Sequence, residues 1–389
     1  MVTAARERWR RWLLVAAAVL GITIVVIALA NPRITRYVEG PEFRAELEKQ
    51  TAKGLHFPNS TFAPIRRTGF LTGATDRVQA PDGEKALTDL DARGISARFN
   101  PLGVFLRRWQ LDDLHIEGGE VGIQVYEPQP TPTPSKPWFH IFLPDRVYLK
   151  RVWSEPGDIT WQMRGEKGGI FGTRLLITPH GRDFEYRATG GTLKNALIPD
   201  LPLRHTHLLI TKKVFDLYTL ELAAGDGTIR AWGNAETTGA KRIDFKAAWE
   251  NVLLREWLPS SWTASIRGSA DGDVHWTGED FKIETARLEG ALRVNGGRIS
   301  DLKFLEQLAA VSRRSDLKAL QLNECGAAFT WDKRAGELRN IVLEETGKFR
   351  IEGSISFSEA SLGGKLELGI APEYLAWLPD YEEVFSRND

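Results

Sequence analysis

The sequence predicts a mainly β protein, with a single N-terminal transmembrane helix followed by an elongated, curled antiparallel sheet and a few short helices. Three observations lead to this fold class. A run of nineteen uncharged residues, Trp12–Ala30, follows a basic N-terminus. After it, apolar and polar residues alternate with period two in many short segments, which is typical of strands with one dry face. Glycine-rich turns separate these segments at short intervals, as expected of an antiparallel meander.

The apolar run 12–30 is long enough to cross a bilayer. As a helix it rises about 28 Å, against a hydrocarbon core of about 30 Å. Four arginines and one glutamate lie in 1–11, so the positive-inside bias predicts a cytoplasmic N-terminus and an exported body. The alternative is a cleaved signal peptide, because Ala28-Leu29-Ala30 has the small-x-small form of a cleavage site. Signal-peptide cores usually have about 7–15 residues, so the length of this run favours an uncleaved anchor.

The composition of the whole chain bears on its function, and its length bears on the size of the exported body. Lysine plus arginine equals aspartate plus glutamate at 51 each, so no net charge attracts a nucleic acid. The single cysteine, Cys325, cannot form an internal disulfide, and we interpret it as a small residue on a strand face. The roughly 350 exported residues exceed what one compact core usually needs, so an elongated shape or two subdomains is expected.

Strand alternation is clearest in four segments of the body. Their apolar positions are Ile243, Phe245, Ala247 and Trp249; Phe349, Ile351, Ile355 and Phe357; Phe184, Tyr186 and Ala188; and Leu288, Gly290, Leu292 and Val294. Glycines predict the turns between strands. The predicted turns are Gly225-Asp226-Gly227, Gly239, Gly278, Gly296-Gly297, Gly336 and Gly363-Gly364.

Two short helices are predicted, and either could plug an end of a sheet. The first spans Pro41 to Gln50 and begins with a proline suited to a first helical turn. The second spans Asp301 to Val311, has leucines at helical spacing and places Asp301 as its cap.

A proline-rich spacer divides the body. Residues 127–137 read Glu-Pro-Gln-Pro-Thr-Pro-Thr-Pro-Ser-Lys-Pro, which is extended and cannot form ladder hydrogen bonds. We therefore expect an N-terminal β region over 31–126 and a C-terminal sheet region over 138–389. A weak repeat flanks the spacer: Leu111 to Ile123 and Val147 to Trp161 both read as strand, glycine turn and strand, with turns at Gly118-Gly119 and Gly157.

Catalytic and metal-binding patterns are weak in this chain. It has no Gly-x-Ser-x-Gly elbow, no phosphate-binding Gly-x-x-x-x-Gly-Lys loop and no His-Glu-x-x-His. His205 and His207 would share a strand face but have no evident third ligand, so ordinary surface histidines are the favoured interpretation. Asp271-Gly-Asp273 lacks the further oxygen ligands of a calcium loop and is interpreted as a turn. We therefore expect no enzyme, no metal and no cofactor.

Tryptophans are concentrated in one stretch of the body. These residues are Trp249, Trp257, Trp262 and Trp276. A platform for carbohydrate or lipid headgroups is one interpretation, and core packing is the more common use of tryptophan.

Several of these segments resemble the AsmA-like family. The similar features are the basic N-terminus, the single anchor, the helix ending in Lys53-Gly54-Leu55, and the pattern Leu111…Ile116-Glu-Gly118-Gly-Glu-Val121 before a proline-rich gap. Two later segments, Leu292-Arg-Val294-Asn-Gly-Gly-Arg-Ile299 and Phe349-Arg-Ile351-Glu-Gly353-Ser-Ile355, resemble its C-terminal region. The likeness covers 1–125 and 225–378, and further strands would be expected after the Trp377-Leu-Pro turn.

The resemblance implies a taco-like sheet with a hydrophobic groove, anchored in the bacterial inner membrane with its bulk in the periplasm. Such a protein acts in envelope biogenesis and conducts phospholipids between membranes, with membrane lipids and an envelope protein as its partners. The predicted groove-lining residues are Ile243, Phe245, Phe349, Ile351, Ile355 and Phe357. Three alternatives stay open: the apolar face is simply core, the protein assists outer-membrane protein assembly through sheet edges, or it is an exported enzyme.

Overall fold

The computed structural model describes residues 31–84, 87–105, 109–123, 147–163, 166–180, 183–195, 198–211, 213–236, 239, 241–279 and 285–377. The chain divides into two compact units, Met1–Ser154 and Glu155–Asp389. Both are built mainly from β-strands, which confirms the predicted fold class in its main feature. The predicted anchor 12–30 and the predicted linker 127–137 lie outside the described residues, so neither is tested.

The first unit consists of a small mixed sheet and short helical segments. Its elements are α1 (Pro41–Leu55), β1 (Thr61–Phe62), β2 (Ile65–Arg67), β3 (Thr72–Ala80), β4 (Leu87–Asn100), α2 (Leu102–Phe105), β5 (Trp109–Ile123) and β6 (Val147–Leu149). Strands β1 and β2 both pair with β3, followed by β4 and β5 in antiparallel order. Strand β6 is parallel to β5. Helix α1 holds β1 through Glu48, which accepts hydrogen bonds from Ser60 and from the Phe62 amide.

The second unit is an antiparallel sheet of long strands. Its elements are β7 (Val152–Met163), β8 (Glu166–His180), β9 (Asp183–Thr189), β10 (Thr192–Asn195), β11 (Ile198–Ile210), β12 (Val214–Ala224), β13 (Gly227–Glu236), β14 (Arg242–Leu253), α3 (Ser260–Thr263), β15 (Ile266–Glu279), β16 (Arg287–Ser300), α4 (Lys303–Ser312), β17 (Ala319–Leu322), β18 (Glu324–Asp332), β19 (Ala335–Glu345), β20 (Phe349–Ser358) and β21 (Leu362–Ile370). Short 3-10 turns lie at Leu254–Glu256, Ser315–Lys318 and Pro372–Tyr374.

Most strands of this sheet pair with the next strand in the sequence. This holds from β11 to β16 and again from β18 to β21. Strands β9 and β10 both lie between β8 and β11, and β17 and β18 both pair with β16. Register shifts interrupt several ladders, and such bulges bend the strands that contain them.

All four predicted strand segments are confirmed, whereas only part of the predicted turns are. Gly225-Asp226-Gly227 and Gly239 lie at connections between strands. Gly296-Gly297 lies inside β16, where Gly296 has φ +58 and the partner of β16 changes from β18 to β17. Gly278, Gly336 and Gly363-Gly364 also lie within strands, near their ends. Glycine here allows close packing or a bulge rather than a reversal of the chain.

The two predicted hairpins beside the spacer are wrong. Gly118-Gly119 lies in the middle of β5, and Gly157 lies inside β7. A Cβ on Gly119 would stand 2.5 Å from the Asp91 carbonyl oxygen of the neighbouring β4. At that position glycine is needed because two backbones approach closely, not because the chain turns.

The first predicted helix is confirmed, and the second differs in its start. Helix α1 continues five residues beyond Gln50 and ends at Leu55, and the residue after it, His56, has φ 61. Helix α4 begins at Lys303 after Leu302, so Asp301 is not its cap. Asp301 instead has φ 60 and accepts a hydrogen bond from the Ser300 hydroxyl.

Candidate functional site

One face of the second sheet is apolar across neighbouring strands. Residues directly opposite each other in an antiparallel ladder point to the same side, so the registers show which side chains share a face. The residue pairs that lead outward from Phe245 of β14 identify one side of the sheet across β12–β16 and β18–β21. We call it the apolar face, and apart from Glu345 its residues on β13 to β21 are apolar or glycine.

A row of large side chains crosses this face near one end of the strands. We call it the aromatic row, and it consists of Phe215, Phe245, Trp276, Leu288, Trp331, Phe357 and Leu362. The ring centroids of Phe245 lie 6.3 Å from Phe215 and 6.2 Å from Trp276, and those of Trp331 and Phe357 are 6.0 Å apart. These distances are typical of favourable aromatic contacts.

Several rings of the apolar face lie close to glycines on neighbouring strands. A Cβ on Gly336 would stand 2.4 Å from the Phe357 ring, and one on Gly233 would stand 2.8 Å from the Phe245 ring. Trp249 covers Gly272 in the same way. Rings that cover glycine fill the space next to the backbone. At these positions the ring of one strand covers the backbone of the next, so the apolar surface is continuous across the two strands.

The apolar face is buried in places and half-buried in others, and Ile243 and Ala235 are buried at the same strand ends as the aromatic row. A core cluster buries Ala188, Leu201, Leu203, Leu222, Ala224 and Val252. On β11, Leu201 and Leu203 belong to this cluster. Ile210, at the other end of the same strand, lies opposite Phe215. The side chains of the aromatic row are half-buried, except that Leu362 is 78% exposed. The face thus combines a filled core with a row that retains access to solvent.

All six residues predicted to line a groove lie on the apolar face, in different surroundings. Phe245 and Phe357 belong to the aromatic row, and Ile351 and Ile355 are half-buried beside it on β20. Ile243 is only 3% exposed and lies in a closed corner next to Ala235. Phe349 lies opposite Glu345 at the far end of β20. Whether any of them contacts lipid stays a prediction.

Sequence reasoning missed four members of the aromatic row, among them Leu362, which it did not name. Phe215 and Trp331 were not among its candidates, and Leu288 was identified only as a strand residue. The period-two spacing of Phe329 and Trp331 could have indicated a strand face, but the register that joins Trp331 to Leu288 could not be read locally. The tryptophan-rich stretch does not form one platform, because Trp257 and Trp262 lie in the connection between β14 and β15.

The opposite face of the sheet is charged and paired across strands. The Arg350 guanidinium contacts the carboxylates of Glu324, Glu344 and Glu352, which raise the pKa of the arginine. Glu221 lies 3.1 Å from Arg204 and 3.5 Å from Arg230. Hydrogen bonding by Arg204 contributes most to lowering the pKa of the Glu221 carboxyl. Ions of both signs alternate on this face, as expected of a surface in contact with water.

Of the two histidines on β11, His207 contacts neighbours on the charged face. Nε2 of His207 lies 2.6 Å from Oε1 of Glu185, and its ring lies 4.8 Å from that of Tyr218. Among the described residues, no group of three or more His, Cys, Asp or Glu side chains is arranged to hold a metal. The His207–Glu185 contact is a hydrogen bond between two strands on the charged face.

Asp271 has a structural role, and its prediction as a turn is wrong. Residues 271–273 lie inside β15, and the Asp271 carboxylate accepts hydrogen bonds from the Asn251 amide (2.7 Å) and the Asn295 side chain. Asn251 has φ 54 at the register shift of β14, so Asp271 holds this bulge in place. Cys325 lies on β18 opposite Leu343, as a strand-face residue, and burial raises the pKa of its thiol.

A polar cluster lies at the strand ends beside Phe349. Glu345 is 8% exposed, and its carboxylate lies 2.6 Å from Nζ of Lys348. The same carboxylate accepts a hydrogen bond from the backbone N–H of Gln321. Close by, Tyr374 donates to Asp316 at 2.6 Å. These contacts hold the 3-10 turn after β21 against the turn after α4.

Comparison with known proteins identifies no relative: no family model, curated protein or solved structure matches this chain. Within the described part of the chain, no helix has both the length and the apolar character needed to span a membrane.

Proposed function

We propose that this chain is a membrane-anchored envelope protein that binds phospholipid acyl chains on its apolar face and conducts them between membranes without catalysis. The continuous aromatic row is the observation that carries the proposal. The resemblance to AsmA-like proteins supports it and supplies the compartment: a cytoplasmic N-terminus, an inner-membrane anchor at 12–30 and a periplasmic body.

The length of the aromatic row suits acyl chains. From β12 to β21 it crosses nine strand positions, and at about 4.8 Å per strand it extends roughly 38 Å. The acyl chains of one leaflet extend about 15 Å, half of a hydrocarbon core of about 30 Å. The row is therefore more than twice as long as one acyl chain, and a chain could occupy successive positions along it.

The chemistry of the face suits movement as well as binding. Each methylene removed from water contributes about 0.8 kcal/mol, whichever part of an apolar surface covers it. Rings that cover Gly233 and Gly336 keep the apolar surface continuous between strands, so the gain is distributed along the row. The charged opposite face keeps the sheet soluble while its apolar face carries lipid.

The direct test is native mass spectrometry of the full chain after gentle solubilisation. We expect co-purified phospholipid on the wild type and much less on Phe245→Asp, because the new carboxylate interrupts the aromatic row. Lys246→Asp is the matched control, since Lys246 is the next residue on the charged face and should leave lipid binding unchanged. Lipid held only by the anchor would be equal in all three proteins, and that result would contradict the proposal.

The predicted anchor has its own test. We expect the N-terminal sequence of the mature protein to include 12–30, because the apolar run is longer than a usual signal-peptide core. A mature protein beginning at Asn31 would show a cleaved signal instead.

The open edge of β21 favours a second candidate function, a structural or assembly factor that binds outer-membrane proteins by strand addition. The two functions differ in the part of the sheet they use. If Phe245→Asp loses function although its β21 edge is intact, the result supports lipid handling. If only variants of the β21 edge lose function, the result supports the assembly of outer-membrane proteins.

A further inference from the structure

Strand β21 is an exposed sheet edge with apolar side chains. Among the described residues it pairs with β20 alone, and eight of its nine residues are exposed. Leu366 and Leu368, on the apolar face, are 51% and 59% exposed. An uncovered edge of this kind can add another strand, which natural proteins usually prevent with charges or a covering element.

The hydrogen bonds of β21 show which of its backbone groups point outward. The Ala371 amide donates to the Lys348 carbonyl at 2.9 Å, and the Ser358 amide donates to the Ser361 carbonyl at 2.8 Å. Odd-numbered residues therefore bond to β20. Because the direction alternates along an antiparallel strand, the even-numbered residues direct their N–H and C=O groups outward. These residues are Leu362, Gly364, Leu366, Leu368 and Ile370.

We propose that β21 pairs antiparallel with β21 of a second copy of this chain, centred on Leu366. This register places Leu362 opposite Ile370, Gly364 opposite Leu368, and Leu366 opposite itself, so all five outward residues are paired. At two hydrogen bonds per pair, the new ladder forms about ten. The partner is argued from the complementarity of the strand with itself.

The side chains favour this register over its neighbours. On the charged face, Lys365 of each copy stands opposite Glu367 of the other, which is an attractive cross-strand pair. A shift centred on Lys365 would oppose two lysines, and one centred on Glu367 would oppose two glutamates. On the apolar face, Gly364 leaves room for Leu368 of the second copy. The pairing therefore covers the exposed leucines and joins the two apolar faces.

Charge reversal tests the register in the full-length chain in detergent. Lys365→Glu alone, or Glu367→Lys alone, creates two like-charge pairs, and we expect either to raise the dimer dissociation constant roughly tenfold or more. A mixture of the two variants should form a dimer again, because each glutamate then meets a lysine. Lys318→Glu, an exposed lysine outside the sheet, is the control and should dimerise as the wild type does. Sedimentation velocity measures all four. A monomeric wild type, or a mixture that stays monomeric, would overturn the proposal.

Cysteine crosslinking gives an independent readout that does not depend on charge. In a Cys325→Ser background the chain has no other cysteine. Leu366→Cys should then crosslink to itself through a short bismaleimide. Leu362→Cys should not, because two copies of position 362 lie about eight residues, or roughly 27 Å, apart in this register. Failure of Leu366→Cys to crosslink in a folded protein would mean that another occupant covers the edge, such as 378–389 or a different protein.

Discussion

Two isoleucines on the apolar face allow the filled core and the accessible row to be compared with the same substitution. Ile243 is 3% exposed, whereas Ile351 is half-buried between Leu343 and the exposed Leu368. In Ile243→Asp, loss of the side chain alone costs about 2–5 kcal/mol, and an unpaired buried carboxylate adds several more. The total approaches the whole stability of a typical domain, about 5–15 kcal/mol, so we expect this variant to unfold.

Ile351→Asp should be far milder. Full burial of an isoleucine side chain contributes ~1.5–3 kcal/mol, and the half-buried Ile351 loses about half of that. Because the new carboxylate keeps part of its hydration, we expect the free energy of unfolding to fall by about 2 kcal/mol. For a unit of this size that lowers the melting temperature by roughly 4–8 °C. Thermal melts of the full chain followed by circular dichroism measure both variants. If Ile351→Asp unfolds the protein as Ile243→Asp does, the face is ordinary core and the proposed lipid path has no physical basis.

Two further predictions concern polar contacts away from the aromatic row. Asp271→Ala should cost about 0.5–1.5 kcal/mol in urea unfolding, because it removes the hydrogen bond that the exposed Asn251 amide makes at the β14 bulge, whereas Asp273→Ala should have little effect. The hydrogen bond to Asp316 raises the pKa of Tyr374 from 10.0 to about 12, so the stability it contributes is present below pH 10 and is lost as the pH rises through 12. Absorbance titration of tyrosinate should show this late step in the wild type and not in Tyr374→Phe; an identical titration would refute it.

The strands of the second unit could be predicted because each carries its own evidence. In β20 the apolar side chains at 349, 351, 355 and 357 alternate with polar ones, and this pattern needs no information from elsewhere in the chain. Glycine was the main source of error. Gly118-Gly119 and Gly296-Gly297 have the composition of turns, but one pair allows two backbones to approach and the other forms a bulge inside a strand.

The candidate site could be predicted only in part. Alternation placed Phe245 and Phe357 on apolar faces, but it could not show that they belong to one row. That relation depends on the registers of five consecutive ladders, and each bulge shifts the register. Burial was equally beyond local reasoning, because Ile243 and Phe245 differ in exposure although they are two residues apart on one strand.

The order of strands in this sheet makes its length adjustable by simple genetic events. From β11 to β16 and from β18 to β21 each strand depends for its pairing on the strands beside it in the sequence. Duplication or loss of one hairpin therefore inserts or removes two neighbouring strands, and the other ladders keep their partners. Each such event would change the aromatic row by roughly 10 Å, the width of two strands. Proteins with this topology can thus span different distances by copying the same unit.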